Sequence, residues 1–338
     1  MKYPIGIQDF ASIINDGYVY VDKTALIYRL VTEGSIYFLS RTRRFGKSLL
    51  VSTLECYFRG RKELFRGLAI DSLEKEWAQY PVFHIDFNGT NFTQGGALEE
   101  TIEKFLTDQE EIYGKNPNSK NIGNRFIDLL KAAHQQTGRR AVVLIDEYDK
   151  PILDVLDTTL TTEVDGERRP IEDVNREILK AFYSVFKAAD ADLQFVLLTG
   201  VTKFSQVSVF SGFNQPEDIS MSRDFEALCG ITEKELYHYF AEPIVKLAER
   251  YKVTTEDMKE RFQLKELVYI YIARTDSQIK EIEESFKAPG AAIYHILSNG
   301  IRVAKETGLV QPGDTIIVTG SSAIGIGSTD MMQIITVK

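Results

Sequence analysis

Cysteine is scarce in this chain: Cys56 and Cys229 are the two in 338 residues, far apart, with no C-x-x-C and no Cys/His cluster beside either. Neither a disulfide framework nor a zinc site is expected, and reducing, cytoplasmic surroundings fit best. Any apolar run of about 18 residues, the length that would cross a bilayer, is also missing. The first ten residues, M-K-Y-P-I-G-I-Q-D-F, lack the apolar core of a secretory signal, so a soluble, unprocessed chain with no membrane partner is expected. Nor is there an excess of positive charge, since 40 Lys and Arg against 49 Asp and Glu give a net charge of -9. Such a molecule repels polyanions at long range, which makes nucleic acid a poor partner without excluding it.

What is present is core material. Hydrophobic residues make up 43% and aromatics 11%, enough for one large or two modest globular domains. Short apolar runs at 36–40, 82–87, 141–145 and 193–199 read as buried strands. Helical spacing opens at Lys47 and recurs near 98–113, 124–136 and 172–189, and the alternation predicts an α/β fold with a parallel sheet flanked by helices. Polar stretches at 88–96, 114–121 and 157–170 read as loops, the last long enough to be mobile. From Phe225 the pattern turns helical, with capping boxes from Thr232 to Glu235 and from Thr254 to Asp257. Beyond about residue 265 the style changes again: an apolar helix near 290–306, the strand-like P-G-D-T-I-I-V-T-G, and a loop in which Gly325 and Gly327 read as turn residues. The expected organisation is a core over 1–224, a small helical, lid-like subdomain over 225–265 and a short α/β tail over 266–338.

Two motifs carry chemistry. R-T-R-R-F-G-K-S at 41–48 matches the second half of the phosphate-loop pattern G-x-x-x-x-G-K-[ST], with Arg41 where the first glycine belongs. The tripeptide alone is common; its position at the end of an apolar strand and the start of a helix is what gives it weight. There backbone N–H groups and the helix N-terminus can hold phosphate oxygens, so Arg43, Arg44, Phe45, Gly46, Lys47, Ser48 and Leu49 are the candidate nucleotide-binding residues. Lys47 is expected to reach the β and γ phosphates and the Ser48 hydroxyl to complete a magnesium shell. The bland alternative is a helix start with a solvated lysine.

The second motif, A-V-V-L-I-D-E-Y-D-K at 141–150, runs an apolar strand straight into two carboxylates. Ligands of an open parallel sheet bind at that edge, so Asp146 is placed to hold magnesium and Glu147 to polarise an attacking water. A strand that merely ends in polar residues is the competing reading. A third run, L-Q-F-V-L-L-T-G, ends in Thr199, either an ordinary hydroxyl or a third catalytic group that senses the γ phosphate or orients the water. Arg43, Arg44, Arg169 and Arg223 are the candidates for a transition-state arginine. Asp149 and Lys150 read as a local surface pair, and His84, His134, His238 and His295 show no metal-ligand spacing.

F-L-S-R-T-R-R-F-G-K-S-L-L, L-I-D-E-Y-D-K-P-I and L-L-T-G-V-T-K-F-S, with Y-P-I-G-I-Q-D-F and Y-V-D-K-T nearer the start, resemble the predicted AAA-type ATPases found widely in anaerobic bacteria. The resemblance covers roughly residues 1–260. It implies a P-loop NTPase fold of the AAA or STAND-like group, ATP and magnesium as cofactors, and Arg41 as the family's own variant of the first glycine. It also puts Lys47 and Ser48 on the phosphate and magnesium positions, Asp146 and Glu147 on the acidic pair and Thr199 on the third-strand polar position. Thr42 departs from the family's usual proline. Many members continue through a Y-D-G-Y-like segment into a nuclease-like domain; neither is found here. The last 50 or so residues are instead similar to the C-terminal end of pyruvate kinase, a packing element outside that enzyme's catalytic barrel.

Three functions therefore compete. The first is a magnesium-dependent ATPase. The second is a nucleotide-dependent switch or scaffold with little turnover, read by a protein partner or a second copy through the helical subdomain and the loop at 157–170. The third and weakest is a nucleic-acid-acting protein, resting on the nuclease-fused members of the family it resembles and on the arginine cluster at 41–47.

Overall fold

The computed structural model describes residues 2–201 and 216–256 and three strands at 269–272, 315–320 and 331–336. The chain divides into two compact units, Met1–Thr232 and Glu233–Lys338. In the first, α1 (Phe10–Asn15) and α2 (Thr24–Glu33) precede β1 (Ile36–Ser40), α3 (Lys47–Phe58) and the short α4 (Ala69–Leu73). Then come β2 (Val82–Asp86), α5 (Ala97–Tyr113), α6 (Ile122–Thr137), β3 (Ala141–Asp146) and α7 (Lys150–Leu153). The hairpin β4 (Thr161–Val164) and β5 (Glu167–Pro170) leads into α8 (Ile171–Ala188), β6 (Leu193–Gly200) and β7 (Glu217–Asp218).

One sheet organises the unit, in the order β2-β3-β6-β1-β7 with every pairing parallel. This is the α/β arrangement of a P-loop NTPase-like fold. The chain leaves β1, skips two positions to the β2 edge and returns through β3 and β6, so the loops after β1, β3 and β6 meet at one carboxyl edge. All six residues of β3 are buried, as a central strand covered on both faces requires.

Strand alternation assigns the two cores. Phe38, Val143, Ile145, Val196 and Leu198 join the cluster under α5, α6 and α8, where Phe126 stacks on Phe182 at 5.0 Å. Tyr37, Leu39, Val142, Leu144, Phe195 and Leu197 join the cluster under α2 and α3. By the same period of two, Asp146 and Thr199 fall on the α3 face, the face of the phosphate loop.

Helix ends follow from local chemistry. Asp9 accepts from Ser12 N–H at 2.7 Å to start α1, and Asn121 accepts from Asn124 N–H at 2.7 Å to start α6. Gly138, with φ 67°, ends α6 in the left-handed conformation that glycine adopts without steric cost.

Several expectations need correction. The stretch 157–170 is not simply a loop: its second half is a hairpin whose two-residue turn, Asp165-Gly166, has φ of 52° and 84°. Two successive positive φ values are the hallmark of the hairpin turn that Asp-Gly favours. Asp149 is fully buried, and Lys150 pairs with Asp154 one helical turn away, so the expected surface pair does not form.

Residues 225–232 lie with the first unit, where Phe225, Leu228 and Cys229 join the α3-side core. The second unit contains α9 (Glu233–Tyr239), α10 (Ala241–Tyr251) and an antiparallel sheet of β8 (Tyr269–Ile272), β9 (Thr315–Gly320) and β10 (Met331–Thr336), in the order β10-β9-β8. The cap at Thr232 immediately precedes α9. Asp257, the helix near 290–306, His295, Gly325 and Gly327 lie outside the described residues. Among the described residues no helix is long and apolar enough to cross a membrane.

Candidate functional site

The phosphate loop is pinned at both ends. Arg41 N–H donates to Gly200 O at 3.1 Å, and Gly230 N–H donates to Phe45 O at 2.9 Å. The Arg41 guanidinium folds back onto Ser40 O and Ser220 O, while Ser40 N–H donates to Ser220 Oγ at 2.8 Å. The backbone at Arg41 is not in the positive-φ region, so no glycine is needed there. Instead Arg44 and Gly46 have φ of 64° and 90°, and the left-handed turns fall between strand and helix. Such alternation lets successive N–H groups converge on an anion. The first N–H groups of α3, from Lys47 on, have no intrahelical acceptor and add the positive end of the helix dipole.

Lys47 is 4% exposed. Its ammonium donates to Arg41 O at 3.1 Å and Thr42 O at 3.5 Å, and lies 3.5 Å from Glu147 Oε1. Glu147 adopts φ 54°, an unfavourable conformation for a side-chain-bearing residue and a frequent companion of function. Burial pushes the Glu147 carboxyl above its ordinary value; Lys47 pulls it down, and Asp146 and Asp149 push it up.

Asp146 is 3% exposed. Its Oδ1 accepts from Thr199 Oγ1 and from Glu147 N–H at 3.1 Å, whereas Oδ2 takes no hydrogen bond among the described residues. Thr199 is thus the clasp between β6 and the acidic strand end. The Ser48 hydroxyl likewise has no hydrogen-bond partner among the described residues. Hard oxygens of this kind suit magnesium, and the thiols and imidazoles that softer metals prefer form no cluster among the described residues.

The remaining sequence candidates are dispersed. Arg43, Arg44 and Arg223 are exposed, whereas Arg169 is held by Glu177 at 2.6 Å. Phe45 and Leu49 are half-buried and pack against the α3-side core. Arg59 and Arg61, basic residues just beyond α3, pair with Glu55 and Glu63. His84 pairs with Glu55 and His134 with Asp192.

Three residues at the site escaped sequence reasoning. Asp86 ends β2 in register with Asp146, and burial raises its carboxyl. Asp149 and Gly200 interlock behind Glu147. A carboxylate at the end of both β2 and β3 and a glycine directly after Thr199 were the available signals.

A parallel sheet whose carboxyl edge joins a lysine-bearing, anion-ready loop to the buried Asp146 and half-buried Glu147 is the arrangement of a P-loop NTPase-like fold. The chain belongs to the predicted AAA-ATPase family, whose model matches residues 4–210. It is similar, at 44% identity over 245 residues, to an uncharacterized protein from the vnfD 5' region of Azotobacter chroococcum mcd 1. That match covers 71% of this chain and 45% of the relative, so the chain spans less than half the relative's length. Family membership supports nucleotide binding.

Proposed function

We propose that the chain binds ATP with magnesium and hydrolyses it. The observation that carries this reading is the direct approach of Lys47 to Glu147 across the end of β6, which sets a phosphate-directed cation beside a carboxylate of raised proton affinity. Lys47 and the first amides of α3 hold the β and γ phosphates. Ser48 and Asp146 hold the magnesium ion, which supplies charge neutralisation on the phosphate oxygens. Glu147 accepts the proton of the attacking water, and Thr199 keeps Asp146 oriented. Catalysis in this scheme is positioning and electrostatics rather than covalent chemistry.

A switch with little turnover is the second reading, favoured by the same ion pair. Lys47 and Glu147 must part before either can act, so nucleotide binding has to rearrange the site before chemistry. The residues beyond Thr232 are then the segment through which a protein partner or a second copy reads the bound state.

The test is magnesium-dependent phosphate release from ATP by the purified chain and by Glu147→Gln. Turnover that drops roughly 100- to 10,000-fold in the variant, with ATP affinity retained, is expected of a lost general base. Binding without turnover in the unaltered chain would favour the switch, and no binding at all would remove both readings.

A further inference from the structure

We propose that Asp149, with Gly200 as its counterpart, is the positioning residue that sets the acidic loop against the phosphate loop. The proposal rests on the ATPase reading above and concerns residues to which that reading gives no role.

Asp149 and Tyr148 are fully buried in the short turn that follows Glu147. A carboxylate removed from water is retained where its hydrogen bonds compensate for lost hydration. Asp149 Oδ2 accepts from the Val201 N–H at 3.0 Å. One residue earlier, Tyr148 N–H donates to Thr199 O at 2.9 Å. Between these two bonds, Gly200 O faces the other way and accepts from Arg41 N–H at 3.1 Å, the first residue of the phosphate loop. Three successive residues at the end of β6 thus bond to the acidic loop, the phosphate loop and the acidic loop again.

Gly200 makes that spacing possible. A Cβ there would lie 2.3 Å from Tyr148 Cε1, 2.5 Å from Tyr148 Cδ1 and 2.7 Å from Asp149 Oδ1. Its φ is not in the positive region, so the requirement is for space and not for a special backbone conformation. Tyr148 cannot yield cheaply, because its ring is packed edge-on against Phe38 at 5.3 Å and is fully buried.

The clamp lies two residues from both Glu147 and Thr199. Loosening it leaves the phosphate loop's own bonds to Ser220 and Gly230 intact but frees the acidic loop to drift from Lys47. A displacement of about 1 Å in a reacting group can cost roughly 100-fold in rate. The expected signature is therefore a loss of turnover without a loss of nucleotide affinity.

The experiment compares Asp149→Asn, Asp149→Ala and Gly200→Ala with the unaltered chain. It measures kcat and KM for ATP with magnesium, affinity for ADP, thermal stability, and hydrogen exchange at the Val201 amide. Asp149→Asn keeps an oxygen for Val201 and should retain most of the turnover and the amide's protection. Asp149→Ala and Gly200→Ala should lose roughly 10- to 100-fold in kcat, with ADP affinity within about threefold. If Asp149→Ala does not fold, the asparagine and Gly200 variants carry the test. Equal losses in Asp149→Asn and Asp149→Ala, or ADP affinity falling in step with kcat, would overturn the proposal. If the unaltered chain shows no turnover, the ATPase reading fails separately, and exchange decides: protection at Val201 unchanged in Asp149→Ala, or unchanged in Gly200→Ala when Asp149→Ala does not fold, sinks the clamp.

Discussion

Two buried cations, Lys47 at the carboxyl edge of the sheet and Arg125 between α5 and α6, show how differently one chain treats the same problem. Arg125 is 6% exposed and grips the carboxylate of Glu110 with two nitrogens at 2.7 and 3.0 Å, while a third meets Glu103. Both partners lie on one regular helix, α5, and the fork-to-carboxylate geometry is the strong, closed kind. Lys47 is as deeply buried but is held by two carbonyls and one carboxylate at 3.5 Å, on a residue in a strained backbone conformation. A closed network stores stability, whereas an open one can exchange its partner for a ligand. Burial of charge by itself separates neither role from the other.

The largest test of that contrast is Arg125→Ala. Leaving Glu110 buried without its partner should cost about 3–5 kcal/mol in urea unfolding, with nucleotide affinity of the folded protein unchanged. Lys47→Ala should do the reverse. Loss of a charge-assisted phosphate contact of about 1.5–3 kcal/mol should weaken ATP binding by roughly 10- to 100-fold, with a smaller loss of folding stability than Arg125→Ala. Equal stability losses from the two substitutions would break the comparison.

The smallest effect is on the pH dependence of stability, where the two sites should have opposite signs. Arg125 holds the Glu110 carboxyl below its ordinary value, so its stabilisation is full above the unfolded value and is lost as pH falls through the folded one. Glu147, raised chiefly by burial, favours the folded state when protonated, and that contribution is lost as pH rises through its folded value. Urea unfolding between about pH 3 and 7 should therefore lose an acid-side decline in Glu110→Gln and a rising-pH decline in Glu147→Gln. Matching slopes for both variants would contradict the assignment.

Much of the frame was legible because buried parallel strands write themselves as uninterrupted apolar runs, and β1, β2, β3 and β6 all fall within a residue or so of the expected spans. Helices α5, α6 and α8 were equally plain, since their apolar spacing is long and regular. The hairpin at 161–170 was not: its strand residues are all exposed or half-exposed, so no apolar face advertises it, and Asp165-Gly166 among polar neighbours reads equally as loop composition. Asp149 was misjudged for another reason. Its neighbour in sequence is a lysine, and local pairing is the default reading until the distant Val201, the first residue past β6, claims the carboxylate.

The sequence by itself determined which segments are buried and which residue types stand at strand ends, because hydrophobic periodicity and turn chemistry act over a few residues. It thereby named Lys47, Ser48, Asp146, Glu147 and Thr199 as candidates. Only the tertiary structure decided that β6 lies between β1 and β3, that Thr199 bonds to Asp146, and that Lys47 faces Glu147. Those relations depend on contacts between residues roughly 50 to 160 positions apart, and such contacts exist only once the crossovers have placed parallel strands side by side.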